Sequence, residues 1–199
     1  MQVTASTVKE LRGKTGVGMM ECKKALVEAD GDVAEAEKIL RKRGLAVAAK
    51  KAGRATGEGA VVSYIHTGGK IGVLLEVNCE TDFAARSDDF REVVRGVSMH
   101  IAAAAPRFLR REDVTEADLA DEREIARDQA VRAGKPDELV ERIVAGKMEK
   151  FYAENVLLEQ PFVKDTDKTV GQMIAEAVGR IGENIQVRRF CRYVLGDST

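Results

Sequence analysis

The sequence predicts an α+β fold: a bundle of three short helices at the N-terminus, then a core with a three-stranded antiparallel sheet, flanking helices and a helical hairpin. Three observations carry this. Apolar residues recur at helical spacing through residues 1–54. Ile71, Val73, Leu75 and Val77 then alternate with a period of two behind Gly68-Gly69. Two long charged helical stretches, at about 115–133 and 137–157, are broken at Gly134-Lys135-Pro136.

The elements follow in order. Residues 4–14 form a first helix, which Thr4 can cap and in which Val8 and Leu11 share one face. Thr15-Gly16-Val17-Gly18 is a turn. Met19 to Asp30 is a second helix with Met19, Cys22, Leu26 and Ala29 as its apolar stripe, and Gly31 ends it. Asp32 caps a third helix, with Glu35 three residues on and Val33, Ala36 and Leu40 inward. From Ala48 to Gly59 the glycines and cations read as the end of that helix and a hinge or linker. Residues 60–67 and 70–78 make a β-hairpin closed by a tight primed turn at Gly68-Gly69. Beyond Glu80, Phe83, Phe90, Val94, Val97 and Ile101 space along one helix that ends near Pro106. Thr169 to Arg180 is a further helix, and Ile185 to Val194 is β-rich enough for a third strand. The expected division is a helical domain over 1–54 and a core over 55–199.

Bulk composition excludes several function classes. The chain has 199 residues and a net charge of −1, so no global field steers it to nucleic acid or a membrane. Residues 1–54 hold 12 Lys/Arg and 7 Asp/Glu, a net of +5, which leaves −6 for the remainder. Cys22, Cys79 and Cys191 are three, odd and far apart, which is no disulfide framework and fits a reducing compartment. No apolar run approaches the roughly 20 residues of a membrane helix, and the N-terminus has no signal-peptide core. The expected location is the cytoplasm.

Motifs for catalysis are missing. Gly13-Lys14-Thr15 resembles the end of a phosphate loop, but Val8 stands where that loop needs glycine, and no strand precedes it. His66 and His100 with the three cysteines give no zinc spacing. There is no Gly-x-Ser-x-Gly elbow. Arg41-Lys42-Arg43 with Lys50, Lys51 and Arg54 is a basic cluster. It reads either as a contact for nucleic acid or an acidic protein, or as a solvated helix end whose cations complement the macrodipole. No aromatic residue precedes Tyr64, so base stacking has no platform there.

Three segments, in order, resemble one family. Leu11-Arg-Gly-Lys-Thr-Gly-Val-Gly-Met-Met-Glu-Cys-Lys-Lys-Ala-Leu26 resembles the N-terminal signature of elongation factor Ts, in its short bacterial form. Asn78-Cys-Glu-Thr-Asp-Phe-Ala-Ala-Arg86 resembles its second signature, and Gly179-Arg-Ile-Gly-Glu-Asn-Ile-Gln-Val-Arg-Arg189 its closing strand. Lys150-Phe-Tyr and Leu158-Glu-Gln-Pro-Phe162 also look like the family.

The resemblance implies an N-terminal domain similar to ubiquitin-associated domains and a core that dimerises through antiparallel sheets. It implies a guanine nucleotide exchange factor, not an enzyme, that binds elongation factor Tu in its GDP-bound and nucleotide-free states. Such a factor displaces Mg²⁺ and promotes GDP release during elongation, with no cofactor, metal or direct nucleic-acid contact of its own. Carried onto this chain, the intruding positions are Asp82 and Phe83 with Thr81 and Ala84 flanking; Ala84 stands where many relatives have Val. From the residues alone, Thr81 or Asp82 is an N-cap and Phe83 a core residue at a helix start, and a capped, rigid start also suits a projecting ring. Leu11, Arg12, Val17, Gly18, Met19 and Met20 form a candidate secondary partner contact, with packing inside the domain as the competing reading. Cys191 reads as a buried small hydrophobe or as a residue of the dimer interface.

Overall fold

The computed structural model describes residues 3–197, and its architecture is α+β. Helix α1 (Ala5–Thr15) starts at Thr4, whose hydroxyl accepts the Thr7 N–H. Helix α2 (Met19–Glu28) follows, and α3 (Val33–Lys51) starts at Asp32, whose carboxylate accepts the Glu35 N–H at 3.1 Å. Val8, Leu11, Cys22, Ala25, Leu26, Ala36 and Leu40 bury one another as the N-terminal core. Met19 departs from the expected inner stripe. It is the first residue of α2 and sits exposed at the rim, and Ala25 takes its place in the core.

Helix α3 ends inside the stretch Ala48–Gly59, where the sequence places the end of the helix and a hinge. It runs unbroken to Lys51 and lies along α8 (Val170–Ile181), with Ala48 packed on the second core. Ala46, Ala48, Ala49 and Ala52 explain this: they favour helix and allow close approach, which outweighs the nearby glycines. Arg41 fastens the crossing by donating to the Asp167 carbonyl and to Gln172, each at 3.1 Å, and pairs with Glu176 at 3.4 Å.

The sheet has the order β1 (Glu58–Ile65), β2 (Ile71–Cys79), β5 (Ile185–Val194), antiparallel throughout. The connection from β1 to β2 is longer than the two-residue turn expected. His66 N–H donates to the Ile71 carbonyl around four intervening residues, and Gly68 and Gly69 supply φ of 90° and 69°. One sheet face, with Val73, Leu75, Val77 and Val187, packs against α5 (Asp88–Ala104) and α8 to form the main core. Along α8, Val170, Met173, Ile174, Ala177 and Val178 make the i, i+3, i+4, i+7 stripe that covers the sheet.

The single helix expected after Glu80 is two helices. A one-turn α4 (Asp82–Ala85) ends before Ser87, which caps α5 through the Phe90 N–H. The break turns Phe83 away from the stripe that buries Phe90, Val94, Val97 and Ile101. Helices α6 (Glu116–Arg132) and α7 (Asp137–Asn155) form the expected hairpin, after a 3₁₀ turn at Arg111–Asp113. A short ribbon of β3 (Pro161–Phe162) and β4 (Asp165–Thr169) was not legible in the sequence, because Asp165-Thr-Asp-Lys-Thr169 has no apolar alternation.

His100, fully buried, ties this ribbon to α5. Its Nδ1 accepts the Val163 N–H at 3.2 Å, so Nε2 carries the proton and meets Gln160 Oε1 at 2.9 Å. Gln160 is completed by donating to the Glu154 and Ala104 carbonyls. No helix among the described residues is long and apolar enough to cross a membrane.

Candidate partner-binding site

The site begins where β2 runs out. Thr81, in extended conformation, is the N-cap of α4, and its hydroxyl accepts the Ala84 N–H at 3.2 Å. The same hydroxyl donates to Glu183 Oε1 at 2.7 Å, and the Thr81 N–H donates to Glu183 Oε2 at 3.0 Å. Beside it, Glu80 accepts the Asn184 N–H at 2.7 Å and pairs with Arg54 at 3.3 Å. The Asn184 N–H first, and Arg54 after it, hold the Glu80 carboxyl below the usual carboxylate range. Asn184 is buried and donates its side-chain amide to the Ala52 and Arg54 carbonyls. Three chain segments, the α3–β1 connection, the β2–α4 junction and the α8–β5 turn, are thus tied at one point.

On this support stand the predicted residues. Phe83 is 83% exposed, the most solvent-accessible large apolar side chain among those described. Ala84 is buried beneath it and belongs to the main core. Asp82 is exposed and pairs with Arg86 at 2.8 Å, one turn on. Cys79, just below, donates its thiol to the Thr81 carbonyl at 3.2 Å; burial, then the Glu183 carboxylate, push that thiol up. So the Thr-Asp-Phe-Ala segment is brought together as one projection: Thr81 and Ala84 anchor it, and Asp82 and Phe83 face solvent.

The secondary set divides differently. Leu11 has no exposed surface and supports the N-terminal core from within. Val17 packs on that same core. Arg12, Gly18, Met19 and Met20 are exposed at the adjoining ends of α1 and α2, Met20 at 66%. The basic cluster is largely spent inside the molecule: Arg41 on Glu176, Arg43 on Glu21 and Glu28, Arg54 on Glu80, and Lys51 on the Gly182 carbonyl.

The outer face of the sheet is the other unusual surface. Val61 and Ile65 of β1, Leu74 of β2 and Tyr193 of β5 are exposed apolar residues on one face by register, with Leu195 just beyond the strand. Cys191 stands directly opposite Leu74 and is exposed, where the sequence allowed a buried hydrophobe. Exposure follows from its register: no helix among the described residues covers this face of the sheet.

Sequence comparison adds the decisive observation. The sequence profile of the family described as Elongation factor TS matches residues 3–197. The chain belongs to the elongation factor Ts family. It is 58% identical over 197 residues to an elongation factor Ts of Koribacter versatilis, covering 99% of this chain and 90% of the relative. Against that of Moorella thermoacetica it is 56% identical over 195 residues, covering 98% and 96%. The Geobacter sulfurreducens elongation factor Ts is 58% identical over 197 residues, covering 99% and 91%. Membership of the elongation factor Ts family supports the role of a nucleotide exchange factor for elongation factor Tu in translation elongation.

The sequence did not reveal Glu80, Glu183 and Asn184 as supports. Glu183 and Asn184 lie inside the third family-like segment, but Thr81 is 102 residues from Glu183, a separation across which no spacing rule works.

Proposed function

We propose that this chain releases GDP from elongation factor Tu by pressing Phe83 and Asp82 into the nucleotide-binding domain, where they dislodge Mg²⁺ from its ligands. The carrying observation is the exposure of Phe83. A benzyl group left in water forgoes roughly 1.5–3 kcal/mol of burial, and here it stands on a turn anchored at both ends. Mg²⁺ holds the nucleotide phosphates, so disturbing its ligands weakens GDP electrostatically. The elements required are binding elements; no bond-breaking group takes part.

Energetics require more than the ring. Taking a nucleotide from nanomolar to micromolar affinity needs about 4 kcal/mol of coupling, and the coupling is reciprocal, so nucleotide rebinding expels the factor. Phe83 alone falls short. We assign the balance to a second contact on the N-terminal unit, residues 1–54, through Arg12, Gly18, Met19 and Met20. The core unit, residues 55–199, carries the wedge. The exposed apolar face around Leu74 supports a homodimer in which the sheets of two copies meet. Sedimentation equilibrium returning only monomer at micromolar concentration would remove that element. A translation factor of this kind works in the cytoplasm.

Release of fluorescent GDP from elongation factor Tu, with and without the chain, tests the function. Acceleration is expected. An adaptor would bind elongation factor Tu and leave the release rate alone.

A further inference from the structure

We propose that Glu183 is a positioning residue for nucleotide exchange: its carboxylate clasps Thr81 and fixes the direction in which Phe83 projects. The inference rests on the wedge reading above and adds to it a residue on a distant segment.

The need for such a clasp follows from α4 itself. It has four residues, one turn, and an isolated turn has no stability of its own. Phe83 cannot fix its own direction, because it has little packing. Orientation must come from the ends of the turn. At the C-terminal end, Ser87 donates to the Ala84 carbonyl at 2.7 Å. At the N-terminal end, among the described residues, the carboxylate that reaches Thr81 from a distant segment is that of Glu183. Both its oxygens are committed, one to the hydroxyl and one to the N–H. Charge-assisted bonds to two donors of one residue define an orientation as well as a distance. Glu183 is itself mounted firmly. Gly182, at φ 81°, reverses the chain after α8, and the next residue after Glu183, the buried Asn184, is itself bonded to Ala52, Arg54 and Glu80.

A rigid wedge loses less conformational entropy on insertion than a mobile one. The clasp should therefore act on the step in which the ring displaces the nucleotide's surroundings. Initial binding, spread over a wider footprint, should not depend on it.

The test measures GDP release from elongation factor Tu against concentration of the full chain, giving a saturating rate and a half-saturation concentration. For Glu183→Ala the saturating rate should fall about fivefold, with half-saturation within about twofold of wild type. Thr81→Ser keeps both bonds and should keep the rate. In the Phe83→Ala background, Glu183→Ala should cause no further loss, because the clasp acts through the ring. Should Glu183→Ala fail to fold by circular dichroism, Glu183→Gln, whose single amide oxygen can accept only one of the two Thr81 bonds, should lower the saturating rate in the same direction. A wild-type saturating rate for Glu183→Ala overturns the proposal, and so does an equal loss with and without the ring. Phe83→Ala slow and Glu183→Ala normal sinks the clasp alone; Phe83→Ala at the wild-type rate sinks the wedge reading itself.

Discussion

Gly44 on α3 and Gly179 on α8 meet so closely that a Cβ added to Gly179 would lie 3.0 Å from the Gly44 Cα. At this crossing the helix that begins in the N-terminal core passes over the helix that covers the sheet. The contact holds the exposed ends of α1 and α2 in a fixed relation to the Phe83 projection.

Gly179→Ala should therefore cost about 1–3 kcal/mol, because the obstacle is backbone and the helices must move apart. Gly13, also helical, is the contrast, since a methyl group added there would meet nothing within 4 Å. Gly13→Ala should stabilise by about 0.5–1 kcal/mol through helix propensity. Urea denaturation of both variants measures the difference. Equal midpoints would mean that the crossing is loose.

Stability should decline in acid through His100. Burial lowers its pKa from the ordinary 6.5, and the bond to Gln160 only partly opposes this. Because the folded value lies below the unfolded one, the unfolded chain binds more protons in the interval between them. The contribution is complete above pH 6.5 and is lost as pH falls through the folded value. Protonation would also remove the acceptor for the Val163 N–H. Denaturation midpoints at stepped pH, with the imidazole followed by NMR, check this; an imidazole that titrates at or above 6.5 in the folded protein contradicts it.

Arg12 is exposed and forms no ion pair with any described residue. Reversing its charge, Arg12→Glu, should weaken the complex with elongation factor Tu by on the order of 1 kcal/mol, with a changed salt dependence. Titration calorimetry at two ionic strengths measures both. Wild-type affinity at each would remove Arg12 from the interface.

Much of this fold was legible because local signals agreed with the global structure. The caps at Thr4 and Asp32, the alternation through Ile71–Val77 and the break at Gly134-Lys135-Pro136 all point to the elements observed. Failures came where tertiary contact decides. The β3–β4 ribbon is polar and is held through Phe162 and His100. Sequence alone could not separate a core Phe83 from a projecting one, since a helix start after a strand accommodates both; the break at Ser87 decides it. Glu183 was invisible for want of any local relation to Thr81.

The most direct test is Phe83→Ala, assayed by release of fluorescent GDP from elongation factor Tu at saturating factor. Folding should be unaffected, since the ring is exposed and removing it leaves no cavity. The release rate should fall at least about tenfold, the equivalent of about 1.4 kcal/mol of lost transition-state stabilisation. A release rate equal to that of the wild-type chain would contradict the wedge.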